Sequence, residues 1–506
     1  MTAARQKAAD FLVVAAKFQL GALPTEQRHP LTYELAELSR NNIPEALRIM
    51  KDIDLGVIRD VLAKAPELAR LENAIRDTFA AGNRVFFYGC GATGRLSLSI
   101  EYIWRFIHAG KPEADHVMGF MSGGDLALVH SIENFEDHPE FGARQLREIG
   151  FGPHDLLVSC TEGGETPSVI GATEEATRVS SRKPFFLYCN PDHALHEQVQ
   201  RSRRVLENDS IEKICLFVGP MALSGSTRMQ ASTALMLGAG SALLQANIDD
   251  FLSFASNTDL SFLHDFIVEE SRIYAAGDYV LYETNDYGMT IVTDTTERSP
   301  TFSLLAFENT NDPDRAPALS YFRLPHTQNS ESAWQTLLLR APVAIEWDEL
   351  RAVAGRERLI GFDFSAQALQ QRVERTAPAK LHIFRIERQG DEMHFQLGEL
   401  RHSIDVSGLH PLFEHLFLKI ALNMHSTLVM GRHGRFESNV MTWVKPSNKK
   451  LIDRAIRYVE YLLHHQNIMQ YSYADICYQL FEEAERMMPA DSVVLMTVER
   501  LRNRVR

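Results

Sequence analysis

One stretch limits what this chain can fold into: Arg84 to Glu101, RVFFYGCGATGRLSLSIE. Val85, Phe86, Phe87 and Tyr88 form an apolar run long enough for a buried strand and too short for a helix. Gly89, Gly91 and Gly94 follow at once, and Leu96, Leu98 and Ile100 then open a helix-like segment. A strand, a glycine loop and a helix N-terminus make an anion cradle, because the first-turn N–H groups point out of the loop and the helix dipole favours negative charge there. Thr93 adds a hydroxyl. The spacing Gly-x-Gly-x-x-Gly also fits a tight strand–helix turn with no ligand. A dinucleotide site would want an acid about twenty residues on, after the next strand. The next strand-like run is His116 to Met121, and Asp125 lies beyond two further glycines, so that fit is poor.

From Arg84 onward short strands alternate with helices. The strand-like runs are Val85–Tyr88, Val117–Met121, Leu156–Cys160, Phe185–Cys189 and Ile214–Val218. This is the pattern of a parallel sheet covered on both faces, in which ligands bind beyond the carboxyl ends of the strands. The second run leads into Ser122-Gly123-Gly124-Asp125 and a helical run ending in Asn134-Phe135-Glu136-Asp137. The third leads into Thr161-Glu162-Gly163-Gly164-Glu165-Thr166-Pro167, and the fifth into Gly219-Pro220 and Gly225-Ser226-Thr227-Arg228. Together these loops describe a polar pocket with Gly91, Thr93, Gly94, Gly123, Gly163, Gly164, Thr166, Ser226, Thr227 and the Arg228 guanidinium, suited to a phosphorylated polyol.

The pattern then restarts. Tyr279 to Tyr282 mirrors the first strand, and Thr284-Asn285-Asp286-Tyr287-Gly288 stands where the glycine loop would be. Further strand-like runs are Tyr321–Leu324, Leu359–Phe364 and Leu381–Ile386. With an acid and a bulky tyrosine in its loop, this second copy reads as a structural mate of the first, not a second phosphate site. A long apolar helix from Pro411 to Gly431 holds Lys419, which either snorkels to the surface or meets an anion. The first 80 residues are helical in character, broken by Pro24 and Pro30, with no chemical motif. Asn448 to Leu463 and most of Tyr473 to Arg506 are helical too. The expected layout is a helical segment over 1–60, a phosphosugar-binding domain over 61–255, a second domain over 256–440 and a helical region over 441–506.

Composition narrows function. With 52 Lys and Arg against 66 Asp and Glu in 506 residues, the net charge of −14 argues against broad nucleic-acid or acidic-membrane binding. No run of about 20 apolar residues predicts a membrane span. The five cysteines have neither zinc-ligand nor redox spacing, and four lie in or beside strand-like runs, as in a reduced, cytoplasmic protein. No metal or cofactor is expected.

Several of these motifs carry a family resemblance. Gly89-Cys90-Gly91-Ala92-Thr93-Gly94-Arg95-Leu96 resembles the loop of the N-acetylmuramic acid 6-phosphate etherase and glucokinase regulatory protein family, whose members have the sugar-isomerase (SIS) fold. Gly123-Gly124-Asp125 with Glu136-Asp137 resembles the next motif. Gly219-Pro220 with Ser224-Gly225-Ser226-Thr227-Arg228-Met229 is the most specific match. Ala421 to Thr427 and Asn448-Lys449-Lys450-Leu451 resemble the family's long helix and the segment after it. Thr296-Glu297-Arg298-Ser299-Pro300-Thr301-Phe302 resembles the segment that supplies an etherase acid/base.

The resemblance covers about Ala80 to Leu463, and the two-copy layout is similar to the regulatory protein. It implies two tandem SIS-type α/β domains and a phosphate held by Thr93, Thr166, Ser226 and the backbone of Gly91 and Gly94. It also implies a role for Glu136 as catalytic carboxylate or sugar-hydroxyl ligand, and a Lys419 that reaches the phosphate from the second half. Glu297 would be the second catalytic group if it reaches the first-half site. A homodimer or a sugar-kinase partner is implied in the same way. This chain departs from the pattern at Ile103, where an etherase has its acid/base glutamate. It departs again at Gly163 and Glu165, where etherases have serine and arginine; a carboxylate there repels phosphate unless it faces a hydroxyl or a cation. The expected activity is a sugar-phosphate isomerase or ether lyase, the alternative a non-catalytic sugar-phosphate sensor.

Overall fold

The computed structural model describes residues 2–18, 20–132, 135–446, 448–488 and 491–504. Asn134 and Arg506, at the ends of two expected helical runs, lie outside the described residues. Two five-stranded sheets form the two cores. In the first, β1 (Val85–Gly89), β2 (Val117–Met121), β3 (Leu156–Cys160), β4 (Phe185–Tyr188) and β5 (Glu212–Cys215) are all parallel, in the order β2-β1-β3-β4-β5. Both faces are covered, and the alternation of side chains divides them. Val85 and Phe87 join the large core shared with the Ala65–Ala80, Ala92–Ile107 and Gln230–Leu244 helices. Phe86 and Tyr88 join a separate core under Pro139–Glu148 and Pro167–Val179.

The second sheet holds β6 (Tyr279–Glu283), β7 (Ser320–Arg323), β8 (Leu381–Gln389), β9 (Glu392–Leu397) and β10 (Leu400–Asp405) in the order β10-β9-β8-β6-β7. Its β7-β6-β8 part repeats the parallel β2-β1-β3 arrangement, so the expected restart is real. Beyond β8 it continues as an antiparallel meander. Two-residue turns join these strands, with Gly390 and Gly398 at positive φ. Leu359–Phe364, expected as a strand, instead ends the Arg356–Ile360 helix and turns. Its apolar residues Leu359, Phe362 and Phe364 are buried as expected, and a short apolar run does not distinguish the two conformations. The segment after β2 holds two short 3-10 turns, Asp125–Leu128 and Phe135–Asp137, in place of the expected helix.

The core of the first sheet's helical face runs without interruption into the second half. At the seam lies a buried polar chain. Arg228 of the first half donates to Asp294 of the Gly288–Phe302 helix at 2.9 Å. Asp294 also binds Arg298, and Arg298 reaches Glu270 at 2.9 Å and the Tyr282 hydroxyl at 2.8 Å. Tyr274, Tyr282 and His425 all converge on Glu270. Burial alone would raise these carboxyls, but the two guanidiniums hold Asp294 below its ordinary range, and Arg298 with His425 does the same for Glu270. A second seam contact sets Arg340 between Glu101 and Asp125.

The Ala3–Val14, Lys449–His465, Tyr473–Ala484 and Val493–Asn503 helices pack on one another at the outside. Among the described residues no helix is long and apolar enough to cross a membrane.

Removing one partner of a buried ion pair strands the other charge. Asp294→Asn should therefore lower stability by about 3–5 kcal/mol in denaturant unfolding. Asp52→Asn, which breaks the exposed Arg48–Asp52 pair, should change it by less than ~0.5 kcal/mol.

Candidate functional site

Beyond the carboxyl edge of the first sheet lies a cavity of about 480 Å³. Its floor is the loop after β1, with Cys90, Gly91 and Arg95. Ser122, Ala127, residues 129–132, Phe135 and Glu136 follow β2, and Gly225 and Thr227 belong to the loop after β5. The roof comes from elsewhere: Thr296, Ser299, Pro300 and residues 303–306 of the second half, then Lys445, Asn448, Lys450, Leu451 and Arg454. The lining is polar and cationic in part, with Met121, Val129, Ile132, Phe135, Leu304 and Leu305 as its apolar members.

Gly91 is the N-cap of the Ala92–Ile107 helix with φ +56, and a side chain added there would project into open space. It opens the helix N-terminus to the cavity. Gly94 does something else: a Cβ there would stand 2.4 Å from Met121 Cβ, so this glycine lets the helix lie on β2. Thr93 turns inward; its hydroxyl accepts from Cys90 N at 3.0 Å and donates to the Cys90 carbonyl at 2.9 Å, closing the loop on itself. Gly225, at φ +71, is fixed by its neighbours, since a Cβ would meet the Tyr458 hydroxyl at 2.8 Å and Arg454 Nε at 2.9 Å. Thr227 faces the cavity, and the hydroxyl of Ser226 beside it is buried with no partner among the described residues. Arg95 Nε–H is in the same condition.

Other expected ligands stand back from the cavity. Gly123 lies against Ile132 and Ala127 and shapes the turn after β2. Gly163 and Gly164 give their carbonyls to Asn190 and Ser202, and the Thr166 hydroxyl bonds Thr161. Arg228 turns away from the cavity to Asp294, Ser426 and Thr427, because the seam carboxylate is its buried counter-charge. Lys419 neither snorkels nor enters the cavity. Its ammonium donates to the Arg228 carbonyl at 2.9 Å, to Thr233 and to Asn423. Burial presses its pKa down while Asp54 supports the charge. The lysines on the cavity are Lys445 and Lys450, the latter in the Asn448-Lys449-Lys450-Leu451 segment.

Three of the cavity's cations, Arg95, Lys450 and Arg454, arrive with partners. Arg95 pairs with Glu297 at 2.8 Å across the seam, so Glu297 sits one guanidinium behind the cavity wall. Lys450 pairs with Glu165 at 2.8 Å, and Glu165 also binds Arg201. The carboxylate that sequence places in the third loop thus faces cations. Arg454 pairs with Glu26 at 2.6 Å, and Arg457 meets the same carboxylate at 3.1 Å. Burial opposes these charges, but the cations prevail and hold Glu26 and Glu165 down at about 2. Lys445 and Arg315 form no ion pair among the described residues.

Glu136 is the carboxylate on the cavity surface. It accepts from Asn448 Nδ2 at 3.2 Å, and Cys90 Sγ lies 3.6 Å from its Oε2. Burial raises its pKa, with Glu165 and Asp137 adding to this and Lys450 opposing it. Glu162 was not singled out from sequence. It is buried at the end of β3 with Oε1 unpartnered among the described residues. Burial, then the charges of Glu297 and Glu136, push it up to about 7 against a backbone hydrogen bond and Lys450.

The second-half loop is closed. Tyr287 is buried with its hydroxyl on Glu414, and Thr284 folds the loop back onto the N–H groups of Asp286 and Tyr287. No group of three or more His, Cys, Asp or Glu side chains is set for a metal ion among the described residues.

Glu162 binds more protons in the folded state than unfolded between its ordinary value of 4.5 and about 7, so its share of stability is present below that window and lost as pH rises through it. Glu162→Gln should therefore raise the melting temperature by several degrees at pH 8, with the gain shrinking toward pH 5. A gain that is the same at both pH values would contradict this.

Residues 67–176 match the family described as glucokinase regulatory protein N-terminal SIS domain. N-acetylmuramic acid 6-phosphate etherase from Aliivibrio fischeri strain MJ11 is 33% identical over 221 residues, 44% of this chain and 68% of that protein. The etherase from Photorhabdus laumondii is 30% identical over the same shares. Among solved structures, tagatose-6-phosphate ketose/aldose isomerase from Escherichia coli aligns with a TM-score of 0.45 at 12% identity, over 80% of this chain and 97% of that one.

Proposed function

This chain belongs to the SIS-domain, phosphosugar-binding family of the N-acetylmuramic acid 6-phosphate etherases and the glucokinase regulatory protein, and from that premise we propose that its cavity binds a phosphorylated sugar and exchanges protons with it through Glu136. The observation that carries the binding is the convergence on one cavity of the Gly91 helix N-terminus, the Gly225–Thr227 loop end, Arg95 and Lys450. Hydroxyl, guanidinium and ammonium donors gathered on one cavity suit the oxygens of a phosphate. A helix N-terminus adds its N–H groups and dipole.

The chemistry follows from Glu136. Isomerisation of a sugar phosphate and elimination of its ether substituent both begin with removal of a proton beside a carbonyl. A carboxylate whose pKa is raised by burial is a stronger base than a solvated one and remains able to return the proton. Asn448 holds the carboxylate in place. The apolar lining residues suit an N-acyl or ether substituent, and the cavity's size suits a substituted hexose phosphate. Glu297, anchored on Arg95, supports the position and charge of that guanidinium.

A second reading is a sugar-phosphate sensor acting on a partner protein. It is favoured by Ile103, buried where an etherase has a glutamate, and by the ion pair that engages Glu297.

Hexose 6-phosphates and N-acetylmuramic acid 6-phosphate should raise the melting temperature of the wild type. Lys450→Met and Thr227→Val should each lose most of that shift. Turnover of one of these compounds, reduced at least ~100-fold by Glu136→Gln, is the expected result for the enzyme. Stabilisation without turnover selects the sensor.

A further inference from the structure

Lys450 and Arg201 meet on the same buried carboxylate, but they are not equivalent. Lys450 lines the cavity and its side chain is 31% exposed; Arg201 does not line it. Arg201 sits on the Gln200–Leu206 helix and grips Glu165 twice, at the side chain and at the backbone carbonyl. Lys450 makes one bond, from a flexible stem, to Glu165 Oε1. It also stands in the first turn of the Lys449–His465 helix, where the dipole disfavours a cation, so it is not there to support that helix. Glu165 stands just before Thr166, the N-cap of the Pro167–Val179 helix, a position that favours an anion.

We propose that Glu165 is a built-in counter-ion for Lys450, which hands its ammonium to the phosphate of an incoming ligand while Arg201 keeps the Glu165 carboxylate neutralised. The inference rests on the reading of this cavity as a phosphosugar site. No proton moves in the exchange, because Glu165 stays ionised far below neutral pH with Lys450 and Arg201 outweighing its burial. One N–H···O contact breaks, one forms, and the carboxylate is never left buried without a cation. Glu165 therefore acts as a positioning residue that lowers the anion affinity of the cavity, and Arg201 as one that restores part of it.

The two roles have opposite signs, which a merely structural ion cluster would not produce. Inorganic phosphate and glucose 6-phosphate are titrated calorimetrically into the full chain and its variants. Glu165→Gln should bind both about tenfold more tightly than wild type, since a full charge near Lys450 is removed. Arg201→Gln should bind both about tenfold more weakly, since Lys450 becomes the only cation left on Glu165. Adding Lys450→Met to Glu165→Gln should cancel the gain. If Glu165→Gln fails to fold, the Arg201→Gln arm decides alone, and unchanged affinity there overturns the proposal. Phosphate binding by the wild type that is unchanged or weaker in Glu165→Gln overturns the counter-ion and leaves the phosphosugar site standing. Binding by Glu165→Gln but not by wild type upholds the counter-ion and overturns the phosphosugar site in the native chain. No binding by either overturns both.

Discussion

The arrangement of the two halves depends on one buried carboxylate, Asp294. It neutralises Arg228 from the first half and Arg298 from its own helix, and it accepts from Asn423 and Ser426 of the long Pro411–Arg432 helix. Three segments distant in sequence are thereby fixed to one point in a medium where an unpaired charge is not tolerated. Apolar packing alone permits small slides between the halves; this network specifies one position. Glu297 lies one helical step from Asp294, so the same register that satisfies Arg228 also brings Glu297 onto Arg95 at the cavity wall. The seam and the site are set by the same helix.

Much of the fold was legible because parallel strands buried on both faces leave uninterrupted apolar runs, and the loop at Gly89 to Gly94 punctuates the first of them. The antiparallel meander was not read, although its signals are present. Met393, Phe395 and Leu397 alternate with polar residues and are buried, and Gly390 and Gly398 mark the turns. Leu359–Phe364 misled because a buried helix end and a buried strand share the same composition.

The site was legible in part. Gly91, Glu136, Ser226 and Thr227 belong to loops at strand ends, where topology directs attention. Arg228 and Lys419 have the right chemical type, but a guanidinium or ammonium is claimed by the nearest buried carboxylate or carbonyl, and those lie at the seam, which sequence does not reveal. Lys450 and Arg454 are four apart on one face of an amphipathic helix, a pattern that reads as an ordinary solvated face. Glu26 carried no signal, since its role depends on partners more than four hundred residues away.

That last contact has a consequence for how the protein comes into being. Glu26 and Arg454 are 428 residues apart in sequence, yet both are needed to frame the roof over a loop that begins at Gly89. The strands of the first sheet are all translated by Cys215, but the cavity beyond them cannot close then. The roof stays open, with Glu26 unopposed, until the Lys449–His465 helix leaves the ribosome. The enclosed cavity therefore arrives as a late event of synthesis, and a prematurely ended chain would carry the glycine loop without its roof.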